Sequence, residues 1–176
     1  MLFPKLMSLN CLNFDFQECN FSEKLMTVKD NGNGLSREGC GRVGIYKATG
    51  LVNSYTLECH YQTGYRINNL PPKLNKSTMT IEPETPVTDR TSPLYMSDIA
   101  SGISGKAPNY CMEIFGDVGH ALCIALLEWR NCNPVSRIAL SLYKSLDTVR
   151  MELIVQHSLF HYDVISDLRK RLNEDK

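Results

Sequence analysis

The residues with the clearest chemical potential lie in one short run, Asn53-Ser54-Tyr55-Thr56-Leu57-Glu58-Cys59-His60-Tyr61. Read as a strand of period two, it puts Ser54, Thr56 and Glu58 on one face and Tyr55, Leu57 and Cys59 on the other. Glu58 then stands near the end of an otherwise apolar strand, where a carboxylate is costly unless it is paired or employed. Two readings stay open at this level: a salt-bridged strand end, or a general base. Arg42, upstream, has the forked guanidinium that grips a carboxylate bidentately, and its plainer reading is a surface arginine at a strand start.

The other candidates are weaker. The chain has four histidines, at 60, 120, 157 and 161, and none begins a His-x-x-Glu pair. His157 and His161 stand at i, i+4, but Ser158 occupies the place of the glutamate that zinc-protease helices carry, and no third ligand is evident. They and His120 read as solvated helix faces. Seven cysteines, with no C-x-x-C pair, read as reduced thiols, and Cys111 and Cys123 as small core residues of a helix. Arg169-Lys170-Arg171 reads as a charged helix end.

These groups need elements to hold them. Arg42 to Lys47 is β-rich, Ala48-Thr49-Gly50 carries a turn signal, and Val52 to Tyr61 follows as a second strand, so the pattern predicts a hairpin over 42–61. Such a hairpin returns Arg42 toward Glu58. Residues 62–106 hold five of the eight prolines and eleven serines and threonines without an apolar period, which predicts a disordered insertion. From Asn109 to Arg130, apolar residues at 111, 114, 115, 118, 122, 125, 126 and 129 trace one helix face, closed by Asn131 to Pro134. A second helix is expected from Ser145 to Leu159, and the charged tail, Asp163 to Lys176, is expected to end in a third. One hairpin is too few strands for a complete sheet, so the chain reads as part of a domain.

Bulk composition narrows the class. In 176 residues, 19 Lys+Arg balance 19 Asp+Glu, so the footprint of a dedicated nucleic-acid or membrane-surface binder is missing. Apolar residues at 43% and charged residues at 22% are those of a globular protein. No run approaches a membrane span, and Met1 to Asn10 carries a proline and a lysine where a signal peptide needs its apolar core. The expectation is a cytoplasmic protein, with the nucleus as a second location.

Taken together, Phe3-Pro4-Lys5-Leu6, Phe14-Asp15-Phe16, Cys19 to Lys24, Arg37-Glu38-Gly39-Cys40-Gly41-Arg42-Val43, Ser54-Tyr55-Thr56-Leu57-Glu58 and the helix from Tyr110 through Cys132-Asn133-Pro134 resemble, in this order, the C-terminal half of the zinc carboxypeptidase domain of cytosolic carboxypeptidases. The subgroup most resembled is the type-five tubulin deglutamylases. The resemblance implies an α/β fold: the C-terminal portion of a mixed-sheet carboxypeptidase domain, a β-hairpin with a long packed helix, formed by residues 1–61 and 107–160, with 62–106 inserted and 161–176 a tail. It implies that Glu58 is the catalytic carboxylate, taking a proton from a zinc-held water and passing it to the leaving amine. Arg42, with Arg37 and Cys40, would receive the acidic C-terminal side chain. Departures are Cys40 where Ser or Thr is usual, Arg37 for Lys, and Asn13 for His; a thiol at 40 is the poorer donor. The implied cofactor is zinc, with ligands upstream of the region resembled and none in this chain. The implied substrates are polyglutamylated tubulin and other acidic C-terminal tails. The rival readings are a catalytically inactive fragment or pseudoenzyme serving as an interaction module, and an unrelated α/β binding domain in which Glu58 is structural.

Overall fold

A computed structural model describes residues 1–21, 41–64, 66–96 and 108–158. It divides into two units, one of residues 1–17 and 62–176 and one of residues 18–61. The first contains α1 (Leu2–Ser8), β1 (Lys73–Asn75), β2 (Thr80–Glu82), α3 (Pro93–Met96), α4 (Met112–Trp129), β3 (Val135–Ser136), a 3-10 turn (Ile138–Leu140) and α5 (146–158). The second contains α2 (Gly41–Thr49). Helices with a small antiparallel sheet of order β2-β1-β3 make the class α/β.

The core of the first unit forms where α1 lies against α4. Leu6, Met7, Leu9 and Cys11 meet Val118, Ala121 and Ala125 of α4, with Ile138, Val149 and Leu153 closing the cluster. Alanines on α4 let α1 approach closely, and Phe3 stacks on Trp129 at 5.9 Å between centroids. The expected helix over 109–130 is therefore present, but its buried face is Ile114, Asp117, Val118, Ala121, Ala125 and Glu128. Leu122 and Leu126 face outward, and Cys123 is exposed and outside the core that sequence assigned to it; Cys111 is half-buried. An apolar period fixes a face only to within a residue or so, and two polar residues with buried partners rotated it.

α4 ends as its sequence predicts. Asn131 takes φ 52°, donating its backbone N–H to the Glu128 carbonyl at 2.8 Å, while Cys132 N–H reaches the Leu127 carbonyl at 2.9 Å. This is a Schellman closure, with Asn in the left-handed position. Asn133 then completes the turn: its Nδ2 donates to the buried Glu128 carboxylate at 2.8 Å and to the Val135 carbonyl at 2.7 Å. α5 starts on a capping serine, with Thr148 N–H donating to Ser145 Oγ at 3.2 Å.

Residues 66–96, expected as part of a disordered insertion, are ordered. Their polar side chains do what an apolar period would otherwise do. Asn75 Oδ1 accepts from Ser77 and Thr78 N–H groups, and its Nδ2 donates to Glu82, folding the β1–β2 turn, in which Met79 takes φ 58°. Leu74 pairs with Ile81 on one side and Ser136 on the other. Asn68 Nδ2 reaches the carbonyls of Ser8, Cys11 and Phe14, clamping the loop after α1. Arg137, only 2% exposed, donates to both oxygens of Glu84 at 2.7 and 2.5 Å and to the Pro71 carbonyl. The charged tail expected over 161–176, its third helix included, lies outside the described residues.

The Arg137–Glu84 pair predicts a measurable acid sensitivity. Burial opposes charge on Glu84, but hydrogen bonds from Arg137 and Thr88 and the charges of Arg137 and Lys73 hold its carboxyl below its ordinary value of 4.5. A depressed carboxyl contributes stability above its unfolded value and loses it as pH falls through the folded one. Glu84→Ala should cost about 3 kcal/mol at neutral pH, because it strands a buried guanidinium. The loss should shrink toward pH 3 in urea titrations, and a pH-independent loss would count against the pair.

Candidate functional site

The second unit holds the residues singled out for catalysis. Its structure differs from the expected hairpin: Gly41–Thr49 is α-helical, and the segment 50–61 forms neither helix nor strand. The turn signal Ala48-Thr49-Gly50 closes the helix instead. Gly50 takes φ 70° and donates its N–H to the Tyr46 carbonyl at 2.7 Å, a left-handed cap that glycine adopts without steric cost. Thr49 Oγ1 donates to the Ile45 carbonyl and accepts from Leu51 N–H. The physical reason lies in where backbone partners come from. A helix satisfies its N–H and C=O groups within the segment, whereas a strand depends on neighbours, and two strands alone are marginal.

Arg42 lies in the first turn of α2, half-buried, and its Nη1 donates to Thr56 Oγ1 at 3.2 Å. The guanidinium is thereby tied two residues from Glu58. Glu58 itself is exposed and has no hydrogen-bond or ion-pair partner among the described residues. Tyr55 and Leu57 are also exposed, so the segment does not divide into a buried and a solvated face. Arg37 and Cys40 lie outside the described residues.

Nothing described in this chain fits a zinc ion. No group of three His, Cys, Asp or Glu side chains that could hold a metal occurs among the described residues. His60, His120 and His157 are all exposed, and His161 lies outside the described residues. The six described cysteines are free thiols.

A polar cluster that the sequence did not single out lies in the first unit. Asn13 Nδ2 donates to Tyr95 Oη at 2.9 Å, and Tyr95 donates to the Val87 carbonyl at 2.7 Å. The Cys11 thiol bonds the Asp117 carboxyl, and both are buried. Asn13 Oδ1 and Asp117 Oδ2 have no hydrogen-bond partner among the described residues. Burial pushes the Cys11 thiol well up, which makes it inert as a nucleophile, and raises the Tyr95 phenol to about 12. Asp117 is likewise raised by burial, more than the Cys11 thiol and the charges of His120, Arg137 and Lys73 offset. A signal did exist in the sequence: Asp117 interrupts the apolar face of α4. A raised carboxyl contributes stability below its unfolded value and loses it as pH climbs through the folded one. Asp117→Asn should therefore raise the unfolding midpoint at pH 8 and lose that advantage near pH 4; a midpoint that falls at pH 8 would show that the charged form is the stabilised one.

No family model matches the chain. Curated relatives do. Cytosolic carboxypeptidase-like protein 5 of Rattus norvegicus is 45% identical over 150 residues, 85% of this chain and 16% of that protein. The Homo sapiens protein of the same name is 43% identical over 150 residues, and that of Danio rerio 41% over 154, 88% of this chain. The chain spans about a sixth of the length of these relatives. No described helix is long and apolar enough to cross a membrane. At this identity over most of its length, the chain belongs to the family of cytosolic carboxypeptidase-like protein 5.

Proposed function

We propose that this chain is the C-terminal part of the catalytic domain of a zinc metallocarboxypeptidase of the cytoplasm and nucleus, one that removes C-terminal glutamate from polyglutamylated proteins such as tubulin. The observation that carries the reading is the match to relatives named carboxypeptidase-like. Any 150-residue stretch of a 176-residue chain includes both Arg42 and Glu58. In this reading residues 1–61 and 107–160 belong to the carboxypeptidase domain, and the zinc ligands lie upstream in the longer polypeptide.

The chemistry asked of this chain's own residues is modest and physically suited to them. Glu58, as carboxylate, takes a proton from the attacking water and returns it to the leaving amine. Arg42, held beside the same segment through Thr56 at 3.2 Å, pairs with the carboxylate of a terminal glutamate side chain. Arg37 and Cys40 would border the same pocket. A second reading is a catalytically inactive fragment or pseudoenzyme serving as an interaction module; both readings agree with the lack of a metal-binding group among the described residues. Metal analysis separates the two: the 176-residue chain alone should hold no stoichiometric zinc and cleave no peptide, while the longer polypeptide should do both. A longer polypeptide without zinc or turnover would favour the module.

Two substitutions in the longer polypeptide test the roles. Glu58→Gln should leave zinc bound and lower turnover by roughly 10²–10⁴-fold, the usual worth of a general base. Near-normal turnover would remove Glu58 from the reaction. Arg42→Ala should lower kcat/KM for a C-terminal Glu by about 10²-fold, on roughly 2–3 kcal/mol for a charged hydrogen bond. A terminal Leu should lose far less, since rejection of apolar termini comes from the unpaired guanidinium. Equal losses on both would make Arg42 a residue of the fold.

A further inference from the structure

Two hydroxyl residues of the chain precede a proline, in Thr85-Pro86 and Ser92-Pro93, and no other serine or threonine does. A hydroxyl before proline is the acceptor of one class of protein kinases, which select the ring and the missing N–H at the next position; proline also keeps the acceptor's backbone extended. The fold treats the two hydroxyls differently. Ser92 is buried, and its Oγ donates to the Pro86 carbonyl at 2.6 Å. Thr85 is exposed, between the end of β2 and the turn over residues 86–88. Its surroundings carry unbalanced positive charge. Arg137 Nη2 and Lys73 Nζ both face Glu84 Oε2, at 2.5 and 3.7 Å. Arg137 already bonds both oxygens of that carboxylate, which leaves Lys73 beyond hydrogen-bond length and able to turn to a stronger acceptor. Thr85 Oγ1 lies 2.9 Å from Thr88 Oγ1, and the Thr88 hydroxyl in turn bonds the Glu84 carboxyl, so Thr85 reaches the same cluster. The nearest acids are turned elsewhere: Asp89 accepts from Thr91, and Glu82 from Asn75.

We infer that Thr85 is a phosphorylation site for proline-directed serine/threonine kinases, and that Lys73 receives the phosphoryl group. In the transfer, Thr85 Oγ1 attacks the γ-phosphorus of ATP. A new O–P bond replaces the one to the bridging β,γ-oxygen, ADP leaves, and the hydroxyl proton passes to the kinase's base. The product carries a charge of about −1.5 to −2 at neutral pH, with acceptor oxygens that a neighbouring ammonium can bond. Lys73 is the cation placed to do so, since Arg137 stays committed to Glu84. Ser92 is spared because the loop would have to open before a kinase could bind it. The site uses none of the residues proposed for catalysis.

The 176-residue chain, incubated with a proline-directed kinase and ATP and mapped by mass spectrometry, tests the inference. Thr85 should take up phosphate, and Ser92 should do so about tenfold or more slowly, as its burial requires. A synthetic peptide of residues 80–96, too short to bury Ser92, should be labelled at both positions. Thr85→Val should abolish labelling at that position, and Pro86→Ala should slow it about tenfold by removing the ring that the kinase selects. Lys73→Met should lower the unfolding midpoint more in the phosphorylated chain than in the unmodified one, because only the former loses a phosphate contact. An unlabelled Thr85, or Ser92 labelled as fast as Thr85 in the folded chain, would overturn the site. A peptide in which Ser92 stays equally slow would remove burial as the reason for its sparing. Equal midpoint losses in the two forms would overturn the role of Lys73.

Discussion

A guanidinium removed from water has to be paired, and the first unit is arranged around that requirement at Arg137. Both of its forks end on Glu84, and a further N–H reaches the Pro71 carbonyl. Meeting these contacts brings residues 71 and 84 to the same point, so the chain between them must fold back, and β1 and β2 are that fold. β3 comes with the arginine, one residue before it, and pairs with β1. A buried ion pair is weak evidence of net stability. Here it accounts for register: slipping the sheet by one residue would strand the charge.

Asparagine side chains do the comparable work for the backbone. Asn68 holds three carbonyls of the loop after α1, Asn75 shapes the hairpin turn, and Asn133 joins the end of α4 to β3 while satisfying Glu128. Each places an amide where a further strand would otherwise have supplied one. The result is a unit with little sheet, in which short strands and loops keep their polar groups bonded. The aliphatic core beneath, Leu6 to Cys11 on Val118 to Ala125, is then free to be small.

How much of this the sequence could express follows from how local each signal is. α4 and α5 were legible because a helix period is written in the segment itself, and Asn131 to Pro134 marked the stop that the Schellman closure realises. The buried face of α4 was less so, since Asp117 and Glu128 turn inward only because Cys11 and Asn133 await them. Residues 66–96 looked structureless because their order rests on polar partners far along the chain, such as Glu84 with Arg137, which composition does not reveal. Gly50 was read as a turn and is one; whether it closes a helix or a hairpin depends on partners outside the segment. Of the site residues, Glu58 and Arg42 stood out through the family resemblance.

The placement of Glu58 carries the last physical point. A group that moves protons in a reaction has to be held within a fraction of an ångström of its geometry, and rigid elements do this better than loops. Here Glu58 is exposed, on a segment that is neither helix nor strand, with Arg42 of α2 fastened to Thr56 two residues away. Beside it, Val52, Tyr55, Leu57 and Tyr61 all present apolar surface to solvent, which is the surface that neighbouring strands or helices bury in a packed domain. The alternation of Ser54, Thr56 and Glu58 against Tyr55, Leu57 and Cys59 becomes a working face only if that burial happens. On the proposed reading, the chemistry therefore needs further surface that covers one side of the segment and leaves the carboxylate on the other.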